Sequence, residues 1–510
     1  MFKFEKYFFH ILIAFIFAKL LLAYLIPVTS DEAYFWVWGK HLDINYYDHP
    51  PVTGWIIWLF SLLGDHIFFS RLFSVLSGLS IAMGIYYLVR NGLGAPDKAR
   101  LICLAFVVCP LHLLFVLITT DSPVFLLVFL SGWAFYYSLQ RQKMMAMVLA
   151  GALCGLAILS KYFAGLLAIA FIVTLVYRRD RKILRHMLCL LCGALPFVLF
   201  HLYGNYQTCW TNVMFNVFNR NQYVSWKISG LVQFLGFQTY LATPWALYYL
   251  LRNSRRIANG IQQSNNVFAL LFFVPIVIFG IISFHDTGLH WTIGFYPFMF
   301  LLMVHLDRPQ INRIVTLSLL LSILHAVILF SVLIWQPIKL FKNHQYYNDL
   351  VMAFHGPELY QKVKERYGSE YILATNGYYT SSAMSYHSKE YFIVFLDDSK
   401  HGRYDDKLTD FRQLNGKNIL ILRTLPTDHR YDPYFEKVTY EQLHFKDGIF
   451  YIVLGEKFRF SVYRERFLKK IRKQWYDIPS FLPIGDCYFF DMYFDQEQIK
   501  QNALTPIQSR

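Results

Sequence analysis

The sequence is poor in charged residues, poor in cysteine and without a nucleotide-binding loop. Charged residues make up 16% of its 510 residues, whereas 56% are hydrophobic and 19% are aromatic. This balance excludes an ordinary soluble enzyme. The sequence contains no G-x-G-x-x-G or Walker motif, so we expect no nucleotide cofactor. It also contains no internal repeat, low-complexity tract or lipidation motif. The composition therefore predicts an α-helical polytopic membrane protein.

The seven cysteines do not form a disulfide framework. Cys189 and Cys192 have a C-x-x-C spacing, but their apolar context argues against a redox or metal site. Cys209 and Cys487 lie in segments that can face an oxidising compartment, and nothing in the sequence pairs them. The five cysteines in apolar runs are expected to be small core residues: Cys103, Cys109, Cys154, Cys189 and Cys192.

Apolar runs predict about eleven membrane-spanning helices. We expect the first run to be a retained span, because it exceeds a signal-peptide core and no small-residue cleavage site follows it. Lys19, inside this run, is expected to snorkel to the interface. The shorter run 52–63 is expected to be interfacial or re-entrant. The predicted spans are 7–28, 67–89, 101–118, 123–139, 145–160, 162–177, 187–204, 229–251, 267–284, 291–306 and 313–336.

The formal net charge of +15 reflects membrane orientation rather than nucleic-acid binding. Lys and Arg fall mainly between the apolar segments, not along one amphipathic face or in an RNA-reading motif. With the N-terminus in the cytoplasm, the even-numbered connections hold the basic clusters, as cytoplasmic loops do. The opposite connections hold the unusual polar residues. We therefore expect membrane lipids, and no nucleic acid, among the partners.

Two domains are expected. Residues 1–338 would form a transmembrane catalytic domain with a first extracytoplasmic loop at 29–66. Residues 339–510 change character, with charged residues between short β-like runs at 371–374, 391–395 and 418–422, and would form a small soluble α/β domain in the periplasm.

The first loop carries the densest set of polar and aromatic residues. Thr29 with Glu32 reads as a capping box, so a helix is expected to begin there. Asp31 and Glu32 then have two interpretations, as helix caps that offset the dipole or as chemical groups. The sequence Tyr-Tyr-Asp48-His49-Pro-Pro follows in the same loop.

Further polar residues stand at the mouths of later spans. Asp121 precedes Ser-Pro and could be an N-cap, and Lys161 could snorkel. Each could instead face a cavity, because a charge at a span end is costly without a partner. His285 and His290 could be interfacial hydrogen-bonding groups or metal ligands.

The order of these motifs resembles the bacterial GT-C glycosyltransferases. The first-loop Asp-Glu precedes Tyr-Tyr-Asp-His-Pro-Pro, Thr-Asp-Ser-Pro, Ser-Lys-Tyr, Asn205-Tyr-Gln and then His290-Trp291. The chain is similar to the branch related to dolichyl-phosphate-mannose protein mannosyltransferases, which includes the lipid A aminoarabinose transferase. The motifs cover about residues 1–300. The resemblance implies a GT-C membrane fold.

The resemblance also implies roles for the acidic residues. Asp31 matches the catalytic base that deprotonates the acceptor hydroxyl, and Asp121 matches a second acidic site position. Asp48 matches a residue that binds a divalent metal or positions the acceptor. Glu32, next to Asp31, is a less defined candidate for positioning the acceptor or a metal. A divalent metal is the one cofactor left open, with Asp48 as the main candidate ligand and Asp121, His285 and His290 as further candidates.

The basic residues are expected to hold the donor phosphate. Lys161 matches a basic position suited to the lipid phosphate, and Arg220 could grip it in bidentate fashion. His49 stands where many relatives have Lys. The chain reads Gln207-Thr208-Cys209 where relatives often have Gln-His, so that histidine has no counterpart here.

The expected function is transfer of a monosaccharide, with inversion, from a polyprenyl-phosphate donor to lipid A, lipopolysaccharide or another lipid or glycan acceptor. The reaction is expected on the periplasmic face of the inner membrane. The alternative is a transporter or flippase of a lipid-linked sugar, whose charged residues would line a pathway. Charges gathered on one side and the lack of repeats favour the enzyme.

Overall fold

The computed structural model describes residues 4–221, 226–264, 267–285 and 288–494, and the chain forms two compact units. The first unit comprises Met1–Ile26, Leu59–Phe200 and Tyr223–Trp335. The second comprises Pro27–Trp58, His201–Gln222 and Gln336–Arg510. The domain boundary expected at residue 338 stays a prediction.

Long apolar helices dominate the chain. Within the described residues, five are long and apolar enough to cross a membrane: Phe4–Leu25, Ile67–Gly92, Asp121–Arg141, Ile183–Tyr206 and Arg308–Trp335. Shorter apolar helices are Val52–Ser61, Met144–Ile158, Tyr162–Tyr177, Phe268–Ile282 and Leu289–His305. The multi-pass helical class is confirmed, whereas the count of eleven crossings stays a prediction.

Two predicted spans contain breaks next to proline. The span predicted at 101–118 is two helices, Ala99–Val107 and Pro110–Leu114. The span predicted at 229–251 is likewise Ile228–Ala242 and Pro244–Arg252. Neither residue before these prolines is helical, as the proline ring disfavours: Cys109 is extended, and Thr243 has a positive φ of 65°. A further helix, Ser254–Ser264, follows.

Glycines let two helices of the first unit approach at backbone distance. A Cβ atom on Gly151 would lie 2.0 Å from the carbonyl oxygen of Leu190, and one on Gly193 would lie 2.0 Å from that of Val148. Such close approach is how membrane helices associate when apolar burial gives no advantage over lipid.

Lys19 does not snorkel, and that prediction is wrong. Its side chain is buried at 1% exposure, and its Nζ atom has no hydrogen-bond partner among the described residues. A Cβ atom on Gly78 would lie 3.0 Å from Lys19 Nζ and 2.8 Å from Nε2 of His112. The ammonium group is thus packed inside the helix bundle, because neighbouring helices close over it.

The second unit contains a five-stranded mixed sheet. Its strands are β1 (Ile372–Thr375), β2 (Ile393–Val394), β3 (Ile419–Arg423), β4 (Lys437–Phe445) and β5 (Gly448–Glu456), in the order β2-β1-β3-β5-β4. β1 pairs in parallel with β2 and β3, and β5 pairs antiparallel with β3 and β4. The expected small α/β domain is confirmed, and the three predicted β-like runs overlap β1, β2 and β3.

Helices surround this sheet and include one from the first loop. The helix Ser30–Lys40 packs on the helix Tyr378–Ser388, with the rings of Trp36 and Tyr386 5.4 Å apart. Further α-helices of this unit include Thr211–Val213, Tyr347–Tyr367, Asp405–Leu408, Phe460–Tyr463, Lys469–Trp475 and Tyr488–Tyr493. Residues 29–58 of the first loop are therefore part of the folded body of this unit, as interhelical aromatic packing explains.

Candidate active site

The first-loop helix begins with the predicted capping box. Glu32 donates its backbone N–H to Thr29 Oγ1 at 3.3 Å, and its carboxylate accepts from the Thr29 backbone N–H at 3.2 Å. Glu32 is fully buried, whereas Asp31 is exposed. The Glu32 carboxylate therefore caps the helix, whereas the adjacent Asp31 carboxylate faces solvent.

Stacked rings hold the rest of the loop against this helix. The rings of Trp38 and Tyr46 are stacked at 4.5 Å, and the ring of Tyr34 lies 4.9 Å from Trp38. Tyr46 also donates to the Trp38 carbonyl oxygen at 2.9 Å. The ring of His49 lies 5.9 Å from Trp38. These contacts hold Tyr46 and His49 against the Trp38 side of the helix Ser30–Lys40. Aromatic side chains suit this packing because they are large and also carry polar groups.

Asp48 is buried between the loop and the segment around residue 216. The Tyr34 hydroxyl donates to Asp48 Oδ1 at 3.3 Å, and Asn216 Nδ2 donates to the Asp48 backbone oxygen at 3.1 Å. Burial raises the pKa of Asp48 to about 6, and the negative charge of Asp31 adds to the shift while the Tyr34 hydrogen bond opposes it. Two carboxylates therefore influence one another electrostatically here, a feature typical of functional sites.

The C-terminal domain supplies residues that the sequence analysis missed. The ring of Tyr378 lies 5.0 Å from that of Tyr34. Burial, and then the charges of Asp48 and Asp31, raise the pKa of Tyr378. The charge of Asp405 also helps to raise the pKa of Tyr34. No local motif marks Tyr378, because it reaches the first loop only through the tertiary fold.

Arg220 belongs to the same unit and shares its electrostatics. Burial lowers the pKa of Arg220, and the charge of Asp48 opposes that effect. The Arg220 charge contributes in turn to a lowered pKa of His401, after burial and Lys400. The structure therefore brings Asp31, Asp48 and Arg220 into one electrostatic group, with His49 on the same loop.

A disulfide ties the segment that carries Arg220 to the C-terminal domain. Cys209 and Cys487 are bonded across 278 residues of sequence. Nearby, Trp210 Nε1 donates to the Pro483 carbonyl oxygen at 2.7 Å, and Asn219 Nδ2 donates to the Trp475 carbonyl oxygen at 3.3 Å. The sequence did not pair these cysteines, because their apposition depends on the tertiary fold.

In the first unit, Asp121 and Lys161 form a buried ion pair. Lys161 Nζ lies 2.8 Å and 2.9 Å from the two carboxylate oxygens of Asp121, and the two side chains are 7% and 10% exposed. His290 Nε2 lies 3.5 Å from Asp121 Oδ2. The helix cap is Thr120, without a side-chain cap bond, so the carboxylate of Asp121 pairs with a cation instead of capping its helix.

The structure does not connect His285 with this pair. Its ring lies 4.6 Å from that of Trp226, and its Nδ1 atom has no hydrogen-bond partner within the part of the chain that the structure describes. Among the described residues, no three His, Cys, Asp or Glu side chains are grouped so that they could hold a metal ion. A metal here would need water or substrate oxygens as further ligands.

An apolar cavity of about 340 Å³ lies within the first unit. Leu250, Phe272 and Met299 are among its lining residues, and Gln238 and Tyr296 give it a polar corner. Tyr296 donates to Gln238 Oε1 at 2.8 Å. Such a cavity is suited to an apolar ligand with a polar end.

Sequence comparison places the chain near lipid-dependent sugar transferases. A family model for dolichyl-phosphate-mannose-protein mannosyltransferases matches residues 48–203. The lipid A galacturonosyltransferase RgtD of Rhizobium johnstonii is 27% identical over 146 residues, which are 28% of this chain and 30% of that protein. The chain thus matches less than a third of that relative's length.

Two solved structures have a similar fold. ArnT from Cupriavidus metallidurans in the apo state has a TM-score of 0.59 at 14% identity. The same protein bound to undecaprenyl phosphate has a TM-score of 0.60 at 13% identity. Each match covers 88% of this chain and 97% of the other. The resemblance to GT-C glycosyltransferases expected from the motifs is confirmed.

Proposed function

The chain has a GT-C fold, and we propose that it is an inverting glycosyltransferase that moves a monosaccharide from a polyprenyl-phosphate donor to lipid A, lipopolysaccharide or another acceptor. The observation that carries this proposal is the pair of first-loop carboxylates. Asp48 is buried with its pKa raised to about 6, and the charge of Asp31 contributes to that shift. Carboxylates with separated environments are suited to divide acid–base and binding tasks.

Asp31 is the proposed general base. It is exposed on the first turn of the helix Ser30–Lys40, where an acceptor hydroxyl can reach it. The acceptor oxygen attacks the anomeric carbon, the bond from that carbon to the phosphate oxygen breaks, and Asp31 takes the hydroxyl proton. The polyprenyl phosphate leaves with the bonding electrons, so the anomeric configuration inverts.

Basic groups in each unit are proposed to bind phosphate. In the second unit, Arg220 and His49 are the proposed ligands, since a guanidinium can grip two phosphate oxygens. In the first unit, Lys161 is the proposed ligand, and Asp121 holds its ammonium group in one orientation through two short contacts. Asp121 then acts on the reaction by positioning Lys161, with His290 beside it.

In the second unit, a divalent cation would have few protein ligands. Asp48 would hold it, and Asp31 would add electrostatic attraction. Mg²⁺ commonly uses one or two carboxylates, with waters and substrate phosphates as its other ligands. When bound, it would offset the negative charge of the departing phosphate. His285 and His290 remain alternative ligands in the first unit.

The donor lipid and the compartment have separate support. The apolar cavity lined by Leu250, Phe272 and Met299 suits a polyprenyl tail, and ArnT has been solved with undecaprenyl phosphate. The Cys209–Cys487 disulfide is typical of an oxidising compartment. Together with the cation-rich alternate loops, it supports an inner-membrane protein whose active site and C-terminal domain face the periplasm.

Mass spectrometry of lipids, lipopolysaccharide and membrane glycoproteins tests the proposal in cells with the wild type, a deletion or Asp31→Asn. We expect one glycan to lose a monosaccharide in both altered strains while the polyprenyl-phosphate sugar accumulates. Glu32→Gln is the matched variant, since Glu32 is the buried capping residue, and its loss is expected to affect stability first. A fully active Asp31→Asn strain beside an affected deletion would favour a transporter of the lipid-linked sugar.

A further inference from the structure

The segment 464–473 is the most basic stretch of the second unit. It contains six Lys or Arg residues and one Glu, a formal charge of +5 within ten residues. It is helical, spanning Arg464–Leu468 and most of the helix Lys469–Trp475. Membrane orientation explains the basic residues between the apolar segments, but this segment lies far from any predicted span and needs another explanation.

This helix is amphipathic. Phe467, Leu468 and Ile471 are 6%, 1% and 0% exposed and anchor one side in the domain. Arg466, Lys469, Lys470 and Lys473 are exposed, at the spacing that places them on the opposite side. We call these four residues the basic face.

Carboxylates of the domain balance only part of this charge. Lys469 pairs with Glu465, and Lys470 pairs with Asp398. Exposed pairs of this kind contribute little to stability. A surplus of cations on one rigid, solvent-facing surface creates a positive potential that attracts anions.

The helix that carries the basic face ends beside the segment of Arg220 in the same unit. Trp475, at the end of the helix, accepts a hydrogen bond from Asn219, the neighbour of Arg220. Its Nε1 atom donates to the Asp398 carbonyl oxygen at 3.1 Å. The next residue, Tyr476, donates to Asp406 at 2.7 Å, adjacent to Asp405, whose charge acts on Tyr34.

We propose that the basic face binds the phosphate groups of a phosphorylated acceptor glycolipid and so presents its sugar hydroxyl to the candidate active site. This inference rests on the proposed transferase function and adds the acceptor's charge and its docking surface. Continuity with residues 219–220 favours a substrate over a general anionic lipid surface. Bidentate and clustered cations are the groups that recognise phosphate.

Binding of full-length protein in nanodiscs tests the proposal directly. The probes are bis-phosphorylated lipid A, the same lipid A after enzymatic removal of both phosphates, and phosphatidylglycerol vesicles of equal surface charge. The test variant is Arg466→Ala/Lys469→Ala/Lys473→Ala. The matched control is Lys437→Ala/Lys457→Ala, which removes exposed cations of the β4–β5 edge.

We expect the triple variant to bind bis-phosphorylated lipid A about tenfold more weakly, as loss of several exposed charge contacts implies. The control should bind like the wild type, and dephosphorylated lipid A should bind equally weakly to all three proteins. Unchanged binding in the triple variant, with an unchanged thermal transition, would overturn the proposal. Equal loss of phosphatidylglycerol and lipid A binding would identify a general membrane-surface contact instead and would also overturn it.

Steady-state kinetics distinguish a failure of the docking surface from a failure of the transferase proposal. In the triple variant, we expect KM for the phosphorylated acceptor to rise about tenfold while kcat and the donor KM stay unchanged. Asp31→Asn should abolish transfer and leave lipid A binding intact. Wild-type protein that binds lipid A through this face but transfers no sugar would refute the transferase proposal alone. A working transferase with an unaltered acceptor KM in the triple variant would refute the docking surface alone.

Discussion

The ammonium group of Lys161 lies 2.8 Å and 2.9 Å from the two carboxylate oxygens of Asp121, in a pair that is almost fully buried. The pair belongs to the first unit and joins residues 40 positions apart. A cation held in this way has one orientation and a partly neutralised charge. It can donate hydrogen bonds to phosphate oxygens without a large reorganisation, which is how preorganised charge favours a reaction.

Breaking this pair should destabilise the protein as well as inactivate it. Lys161→Met leaves the Asp121 carboxylate buried without its main partner, which is expected to cost about 3–5 kcal/mol. Thermal unfolding in detergent should show a clear decrease, and the double variant Lys161→Met/Asp121→Asn should recover part of it. Donor turnover should be lost in both variants.

The exposed pair of Arg256 and Asp307 in the same unit provides a control. Both side chains are more than half exposed, so Arg256→Met is expected to change stability by less than about 1 kcal/mol. If Lys161→Met lowered the free energy of unfolding no more than Arg256→Met, the Asp121–Lys161 contact would not stabilise the fold. Loss of donor turnover in Lys161→Met would then be the remaining support for a role of this pair.

Asp48 should make the free energy of unfolding decrease as the pH rises from about 4 to 6. Its pKa is raised from the usual value to about 6, so the protonated form is favoured in the folded state. The stability contributed by this group is therefore complete below the unfolded pKa and is lost as the pH rises towards 6, by about 3 kcal/mol. Thermal unfolding from pH 4 to 7.5 should show this component in the wild type and not in Asp48→Asn.

Removal of the Asp31 charge tests whether Asp48 is the group that causes this pH dependence. Because that charge contributes to the raised pKa of Asp48, Asp31→Asn should shift the stability component to lower pH. If Mg²⁺ binds at Asp48, isothermal titration should show weaker binding below pH 6, where the ligand is protonated. Binding that is unaffected by both pH and Asp48→Asn would place any metal elsewhere.

The parts of the site that depend on nearby residues were predictable from the sequence. The capping box of Thr29 and Glu32 joins residues three positions apart, so local spacing was sufficient. The broken helices at Pro110 and Pro244 could also have been inferred, since proline restricts the residue before it. In each case a short-range steric or hydrogen-bonding rule determines the structure.

The remaining parts depend on long-range packing. Tyr378 reaches Tyr34 across more than 300 positions, and no local pattern marks Tyr378. Lys19 was expected at the interface because snorkelling is usual for a lysine in a span, but neighbouring helices enclose it. The charge surplus at 464–473 was hidden in the whole-chain total, which averages over loops and domains.

The apolar cavity predicts a dependence on donor chain length. Met299 and Ala242 line the cavity of about 340 Å³, and Ala242→Trp should fill much of it. We expect a higher KM for a long polyprenyl-phosphate donor and little change for a donor with one or two isoprene units. Leu317→Trp, on an exposed position of the helix Arg308–Trp335, is the control. Equal effects on both donors would exclude the cavity as the lipid site.

The Cys209–Cys487 disulfide should determine the integrity of the segment that carries Arg220. Both cysteines are buried in the second unit, and removal of a native disulfide commonly costs about 2–5 kcal/mol. Cys209→Ser, Cys487→Ser and the double variant are expected to lose similar stability, because each breaks the same bond. Cys103→Ser, at a buried free cysteine of the first unit, is the matched control.

Maleimide labelling of denatured protein before and after reduction should reveal two additional thiols in the wild type and none in the double variant. Equal labelling in both states would show that the bond does not form in cells, and the compartment argument built on it would then fail.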